Sequence, residues 1–525
     1  MDAHGQAPGP QDERGRAHAP DGPGLAAVAA SGSTWSTAQA TASKAATACS
    51  MLIVAGFLSP AQMGVATLAI AAAGFLVPFP PLVMGDVLIG MGLTDERSRR
   101  SGARIAMVHA IAMAALAAGL AWPIACAYGD APTMTLALLI GLLGAKPIAD
   151  ALSVLSLTRL RLAFAYRTIA IADGVTQLAA TVATAAMAVA GAGPFAIVVP
   201  QSAGTFAKAA WYRRGAGREE PAGGGLPPGP GHGAISRSFR TAAVGQYVHN
   251  LAFAIAPLLL GLLAASEETG LYAFAFMLAT QATVIVSSQL VIVLQPVLSR
   301  LNGDPGRQSE AYLRIITVLY AVAVPVSLLQ AAFAGPLFDL LFRPKWDGAF
   351  LPFVVLSVAQ CFYVIVSPTI ALMKARARFR TFLRWQCAHL VGASIAYAAG
   401  ARFGGALGVA VADLAVWAVS VTAAMLLSTG DSAVSPRRCA RAVLLPAATA
   451  IPIAAACMAA ASWLSSYGKV GTAAALLVVG PIAAIAAALA VRKTQPDAWA
   501  DLRQIGARFP ARLLRRRRGT ASAGT

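Results

Sequence analysis

Charge is scarce in this chain, and acidic charge is scarcest. Only 12% of the 525 residues are Asp, Glu, Lys or Arg, and 22 acids face 41 basic residues. A soluble domain carries about 25% charge, so a water-facing surface over most of the chain is excluded. Cysteine is sparse too. Cys49, Cys126, Cys361, Cys387, Cys439 and Cys457 form no CxxC pair, which argues against a disulfide framework or a thiolate metal site. No GxxxxGK[ST], HExxH or GxSxG sequence occurs, so P-loop ATP hydrolysis, zincin chemistry and a serine-hydrolase elbow are not expected. The expectation is a protein without metal, cofactor or enzymatic activity.

Apolar residues fill the space that charge leaves. They make up 57% of the chain, and the mean hydropathy is +0.66. Fourteen apolar segments are each long enough, at about 20 residues, to cross a bilayer as a helix. They run 33–58, 62–91, 103–126, 132–156, 167–190, 194–213, 239–264, 268–298, 311–334, 349–373, 381–400, 403–428, 440–463 and 470–491. The second contains Pro78, Pro80 and Pro81. Each proline removes a helix hydrogen bond, so this segment is predicted to be kinked or broken.

Basic residues fall almost entirely in every second gap between these segments. Arg97, Arg99 and Arg100, then Arg159 and Arg161, and later Lys374, Arg376, Arg378 and Arg380 occupy one set of gaps. The other set holds only Arg343, Lys345, Arg402 and Lys469. Loop Lys and Arg stay on the cytoplasmic side during insertion, which predicts a multi-pass membrane protein with both termini inside. The net charge of +19 is spread over these juxtamembrane clusters rather than one soluble module, so nucleic acid is not an expected partner. The basic run Arg515–Arg518 is expected to fix topology, with anionic lipid heads as a second use.

The segment GAGREEPAGGGLPPGPGHGAISR at 215–237 is not expected to hold a helix. It divides the chain into a Pro/Gly-rich, disordered cytoplasmic tail (1–32), a six-helix bundle (33–213), a cytoplasmic linker (214–238), a second six-helix bundle (239–428), two further transmembrane helices (429–491) and a basic cytoplasmic tail (492–525). The bundles echo each other. SPAQMGVATLA at Ser59–Ala69 resembles SEETGLYAFA at Ser266–Ala275, and Gly64 and Gly270 stand 206 positions apart. The fold class is thus an all-α polytopic membrane protein with 14 transmembrane helices, two six-helix bundles around a central cavity plus two C-terminal helices. That is the build of an alternating-access transporter.

The turn-plus-glycine at Ser59–Gly64, the basic loops, the segment LFDLLFRPKWDGAFLPFVVLS at Leu337–Ser357 and the 6+6+2 arrangement together resemble the bacterial polysaccharide (O-unit) flippases. These belong to the multidrug/oligosaccharidyl-lipid/polysaccharide exporter superfamily. The resemblance covers about Ser33 to Gly430. It implies translocation of undecaprenyl-pyrophosphate-linked oligosaccharide repeat units across the bacterial inner membrane for surface polysaccharide biosynthesis. Membrane lipids, and a glycan polymerase or export complex, would be the further partners. The competing readings are a cation-coupled multidrug exporter of the same superfamily and a membrane glycan polymerase. The polymerase is disfavoured because the longest outer loop, 335–348, is too short to carry a catalytic site.

Polar residues inside the bilayer mark candidate pathways. The first segment carries Gln39 and Lys44 among hydroxyl residues, and Lys44 in a low-dielectric cleft would attract a pyrophosphate; the alternative is that it snorkels to an interface. Lys146 and Asp150 lie one turn apart, where a self-neutralising structural pair is the blander reading. Asp173, Gln177, Thr181 and Thr184 form a stripe at helical spacing, and Gln201, Thr205 and Lys208 form another. Gln246, His249 and Asn250 share a face suited to sugar hydroxyls. Gln281, Ser288 and Gln295 recur every seven residues. Asp86, Asp173, Asp413 and His249 are the candidates for proton or cation coupling. In a surface-glycan assay, Lys44→Arg is expected to retain export and Lys44→Ala to lose it. Full activity of the alanine variant would remove Lys44 from the pathway.

Overall fold

The computed structural model describes residues 43, 46, 47, 49–91, 96–163, 165–217, 232–281, 304–376, 378–429 and 436–503. Gln39, Lys44, Ser288, Gln295, residues 218–231 of the Gly/Pro linker, the N-terminal tail and residues 504–525 lie outside them; against expectation, the linker's described ends are helical, with one helix running to Ala216 and the next beginning at His232. The described residues are helical throughout, joined by short turns. The first half of the chain holds α1 (49–57), α2 (Pro60–Phe75), α3 (Val83–Gly90), α4 (Glu96–Ala127), α5 (Thr133–Gly144), α6 (Lys146–Leu162), α7 (Tyr166–Val189) and α8 (Phe195–Ala216). The second half holds α9 (His232–Leu263), α10 (266–281), α11 (Pro305–Ala332), α12 (Ala334–Leu341), α13 (Phe350–Tyr363), α14 (Val366–Ala375) and α15 (Phe379–Thr429). α16 (Pro436–Ser465), α17 (Gly468–Ala474), α18 (Gly480–Thr494) and α19 (496–503) follow.

Among the described residues, nine helical runs are long and apolar enough to cross a membrane. The chain is therefore a multi-pass membrane protein. Three local features explain why helices and apolar segments do not correspond one to one. The stretch from Leu76 to Leu82, with its three prolines, separates α2 from α3. α5 stops at Gly144, and Pro147 in the first turn starts α6. α15 consists of two helical arms joined at Gly405, where the backbone is non-helical with φ +52°. Gly400 and Gly408 meet backbone to backbone across that bend. Trp385 Nε1 donates to the Ser420 carbonyl at 2.9 Å, so the two arms of α15 run antiparallel.

The halves meet where α2 and α10 cross. A Cβ added to Gly64 would collide with the Ser266 carbonyl, and one added to Gly270 would collide with the Pro60 carbonyl. Each member of this reciprocal contact stands 206 positions from its counterpart. The pattern extends one shell outward. Ser59 and Gln62 cap α2 reciprocally, at 3.2 and 3.0 Å, and the Gln62 side chain lies against Gly193 (φ +55°) in the α7–α8 turn. Glu268, the counterpart of Gln62, accepts from Ala406 N at 2.6 Å in the α15 bend. Two copies of one motif thus pack against each other about a local twofold. Such backbone contact is the usual means of helix association in lipid, where apolar burial supplies no drive.

This end of the molecule, the turn end, is sealed by further contacts between the halves. Asp130 accepts from Ser266 N and Oγ at 3.0 and 3.2 Å, placing negative charge at the start of α10. Trp346 is buried, and its Nε1 donates to the Ala55 carbonyl at 2.8 Å. Lys345 Nζ donates to the Gly56 carbonyl at 3.1 Å, and burial holds its amine below the ordinary lysine value. One apolar cluster joins Met51, Leu58 and Met63 to Phe274, Phe338 and Trp346. At the opposite, basic end the described bonds lie mostly within one half, such as Arg161 with Asp86 at 2.7 Å and Arg376 with Ser428 O at 2.6 Å. Arg314 pairs there with Asp501 of α19 at 2.6 Å. Gly64→Ala and Gly270→Ala are each expected to destabilise the protein by about 1–3 kcal/mol, the usual cost of overpacking. The double variant should fall short of additivity, because both act on one contact. Denaturation in detergent measures all three.

Candidate functional site

The first half walls a chamber of about 650 Å³ that Met277 of the second half closes on one side. It reaches from Val54 and Met63 near the turn end to Leu82 and Lys208. Its wall is built by four local features of the sequence. The break between α5 and α6 puts Lys146 and Asp150 at the start of a helix in mid-membrane. The 3.6-residue period of α7 aligns Asp173, Gln177, Thr181 and Thr184 on one face, and α8 adds Gln201, Thr205 and Lys208. Ser43 and Thr47 of the α1 region complete the polar side. From the second half, Met277 alone among the described residues lines it.

Hydroxyl bonding gives this wall a polarity. Thr47, Thr67, Thr181 and Thr205 each donate to the carbonyl four residues earlier, at 2.8 to 3.0 Å. A hydroxyl whose proton is spent on its own helix can only accept from a ligand. The threonines therefore offer acceptors, which suit a ligand rich in hydroxyl donors. Positive charge comes from Lys146 and Lys208. Lys208 Nζ lies 3.5 Å from Asp173 Oδ1, which also accepts from Tyr212 OH at 2.6 Å. Asp150 sits within electrostatic reach of both lysines, and no ion pair joins it to Lys146 among the described residues. The four charges balance, so an arriving anion competes with carboxylates for the lysines.

A second cavity, of about 260 Å³, adjoins the first and shares Met63, Thr67 and Met277 with it. Phe253, Tyr272, Phe276, Tyr397 and Trp417 enclose it, with Asp413 at its base. Asp413 is 3% exposed. Its Oδ1 accepts from Tyr397 OH at 2.6 Å and from Trp417 Nε1 at 3.2 Å.

The candidate residues divide by position. Lys146, Asp173 and Gln177 line the chamber, and Asp413 lines the aromatic annex. Gln246 and Asn250 are exposed and bond each other at 2.9 Å; they line neither cavity. His249 packs edge-on against Phe253 at 5.3 Å. Gln281 donates to the Met277 carbonyl of its own helix at 3.2 Å. Asp86 is exposed at the basic end with Arg161, away from both cavities. Gln39, Lys44 and Ser288 are outside the described residues. Sequence reading passed over the Asp173–Tyr212 bond and the whole aromatic annex. Their partners are far apart in the chain, and the only sequence signal was the small-residue turn that reverses each helix pair.

Two related helix arrays with a polar chamber and an aromatic annex make up the architecture. Solved structures share it. The chain covers 99% of the lipid II flippase MurJ in its inward closed conformation (88% of this chain, 11% identity, TM-score 0.69). It covers 94% of an inward-facing multidrug resistance MATE family transporter of the MOP superfamily (74% of this chain, 12% identity, TM-score 0.57). It also covers 95% of a MOP superfamily transporter from Pyrococcus furiosus (77% of this chain, 13% identity, TM-score 0.52). A family profile described as "Polysaccharide biosynthesis protein" matches residues 53–212 and 238–351, so the chain belongs to that family. No curated protein matches it in sequence.

The charge balance makes a measurable difference. Asp173→Asn keeps a partner for Tyr212 but removes the countercharge of Lys208. It is expected to tighten binding of inorganic pyrophosphate by about fivefold, since a partly exposed charge pair is worth up to about 1 kcal/mol. Lys208→Ala should weaken it. Calorimetric titration of the purified protein with sodium pyrophosphate reads both.

Proposed function

We infer that this protein is a flippase that carries lipid-linked oligosaccharides, of the undecaprenyl-pyrophosphate class, across the bacterial cytoplasmic membrane for surface polysaccharide biosynthesis. The observation that carries this reading is the composition of the chamber wall. Two lysines stand beside threonines that can only accept, which fits a ligand with an anionic link and many hydroxyl donors. A multidrug exporter for organic cations would have little use for Lys146 and Lys208. A glycan polymerase would need acid or arginine groups poised in a sizeable outer loop, and the longest outer loop, 335–348, is too short to carry a catalytic site.

The fourteen segments form two six-helix bundles, 33–213 and 239–428, and a pair of appended helices within 429–491. The basic end faces the cytoplasm, because loop arginines do not cross. The outer side is closed by the Gly64–Gly270 crossing, the Asp130 cap and the Trp346 and Lys345 bonds, and Met84, Leu88, Phe239 and Ala243 pack across the halves at the basic end. The pyrophosphate exchanges with Asp173 and Asp150 for the lysines, and the glycan spreads along the stripes of α7 and α8. Release of the outer contacts, while the packing at the basic end holds, then exposes the chamber to the other side. The lipid tail stays in the bilayer, as its hydrocarbon gains nothing from a polar chamber.

A deletion strain is expected to accumulate lipid-linked glycan on the inner leaflet and to lose surface glycan. The Lys146→Ala, Lys208→Ala double variant should restore less than about a tenth of wild-type export, because loss of two charge-assisted contacts costs more than about 1.4 kcal/mol. Unchanged surface glycan in the deletion strain, together with lost drug efflux, would reverse the assignment in favour of multidrug export.

A further inference from the structure

We propose that the aromatic annex beside Asp413 is a subsite for one neutral pyranose ring of the carried glycan. This rests on the flippase reading and adds the chemistry of a second subsite to it. The annex, at about 260 Å³, is of a size to take a single hexose ring. It adjoins the chamber at Met63, Thr67 and Met277, which line both. A glycan whose pyrophosphate lies at Lys146 and Lys208 can therefore extend a sugar into it.

The polar atoms of the annex select the ligand. Asp413 Oδ1 is occupied by Tyr397 and Trp417, and no described residue donates to Oδ2. That oxygen is not sealed off from the annex, and a sugar hydroxyl can donate to it. Thr67 Oγ1 donates to Met63 O at 2.9 Å and Thr280 Oγ1 to Met277 O at 3.1 Å, so these hydroxyls too are left as acceptors. The remaining wall is aromatic, and the C–H face of a pyranose packs on such rings with offset geometry.

Other ligands fit less well. Among the described residues no Lys or Arg lines the annex, so a phosphate would meet only the charge of Asp413. An acyl chain would leave Oδ2 unsatisfied. A bound metal ion needs several oxygen or nitrogen ligands, and no group of three acidic, His or Cys side chains exists among the described residues. The two halves make the same point by contrast. Each has an aspartate bonded to a tyrosine across a helix pair at 2.6 Å. In the first half Lys208 stands beside that aspartate; in the second, Trp417 does.

Saturation-transfer NMR on the full-length protein in lipid nanodiscs tests this directly. The probes are the methyl β-pyranosides of glucose, galactose and N-acetylglucosamine, with tetramethylammonium as the organic-cation probe. At least one pyranoside is expected to receive saturation at its ring C–H protons. Asp413→Asn, which keeps the shape, should weaken that binding about tenfold, the effect of losing one hydrogen bond to a charged group. Phe253→Leu should weaken it through lost ring packing. Melting temperatures near wild type in both variants keep the comparison about binding. Absence of any pyranoside signal, insensitivity to both substitutions, or tetramethylammonium binding that depends on Asp413 in place of sugar binding would each overturn the proposal. If the deletion strain accumulates lipid-linked glycan while no pyranoside binds, the annex assignment alone fails. If that strain exports glycan normally, the flippase reading fails first.

Discussion

The molecule depends on a contact that contains no side chain. At the crossing of α2 and α10, Gly64 faces the Ser266 carbonyl and Gly270 faces the Pro60 carbonyl. In lipid, helices gain little from burying apolar surface against one another, and close backbone approach takes over that role. The crossing sets the register of the two halves. It brings Gln62 and Glu268 to the turns at Gly193 and Gly405, and so fixes where the pairs α7–α8 and the two arms of α15 stand. The chamber and its annex occupy the space that this placement leaves open.

A repeated backbone has been filled with different chemistry. Gln62 and Glu268 hold equivalent positions, yet one touches its turn glycine with an amide and the other accepts a backbone N–H with a carboxylate. The aspartate–tyrosine bond recurs in reversed order. The acid lies on the first helix of the earlier pair and on the second arm of the later one. The shared frame constrains where helices run, while side chains facing the cavities differ enough to meet two ends of one ligand.

Much of this was legible from composition and spacing. Bilayer-length apolar runs announce helices, and three prolines within five positions announce the α2–α3 break. The stripe Asp173–Gln177–Thr181–Thr184 is visible because the helical period is regular. Periodicity reports that a face is polar without saying what that face meets. Gln246 and Asn250 satisfy each other, and Gln281 satisfies its own backbone, so their polarity is absorbed locally. The Asp173–Tyr212 bond joins residues 39 positions apart. It depends on the exact reversal at Gly191–Gly193, which spacing alone does not encode. The annex was hidden for another reason: Phe253, Trp417 and Tyr397 in an apolar segment read as ordinary core, and only their convergence on Asp413 separates them from it.

Trp346 is 1% exposed, stacks on Phe274 at 4.1 Å, and spends its indole N–H on the last turn of α1. The ring belongs to the second half of the chain and its acceptor to the first. Parting the halves at that end must therefore wet the indole and break its bond in the same movement. The protein carries its own fluorophore at the seam, and a red shift in the emission of Trp346 would mark each moment the outer seal opens.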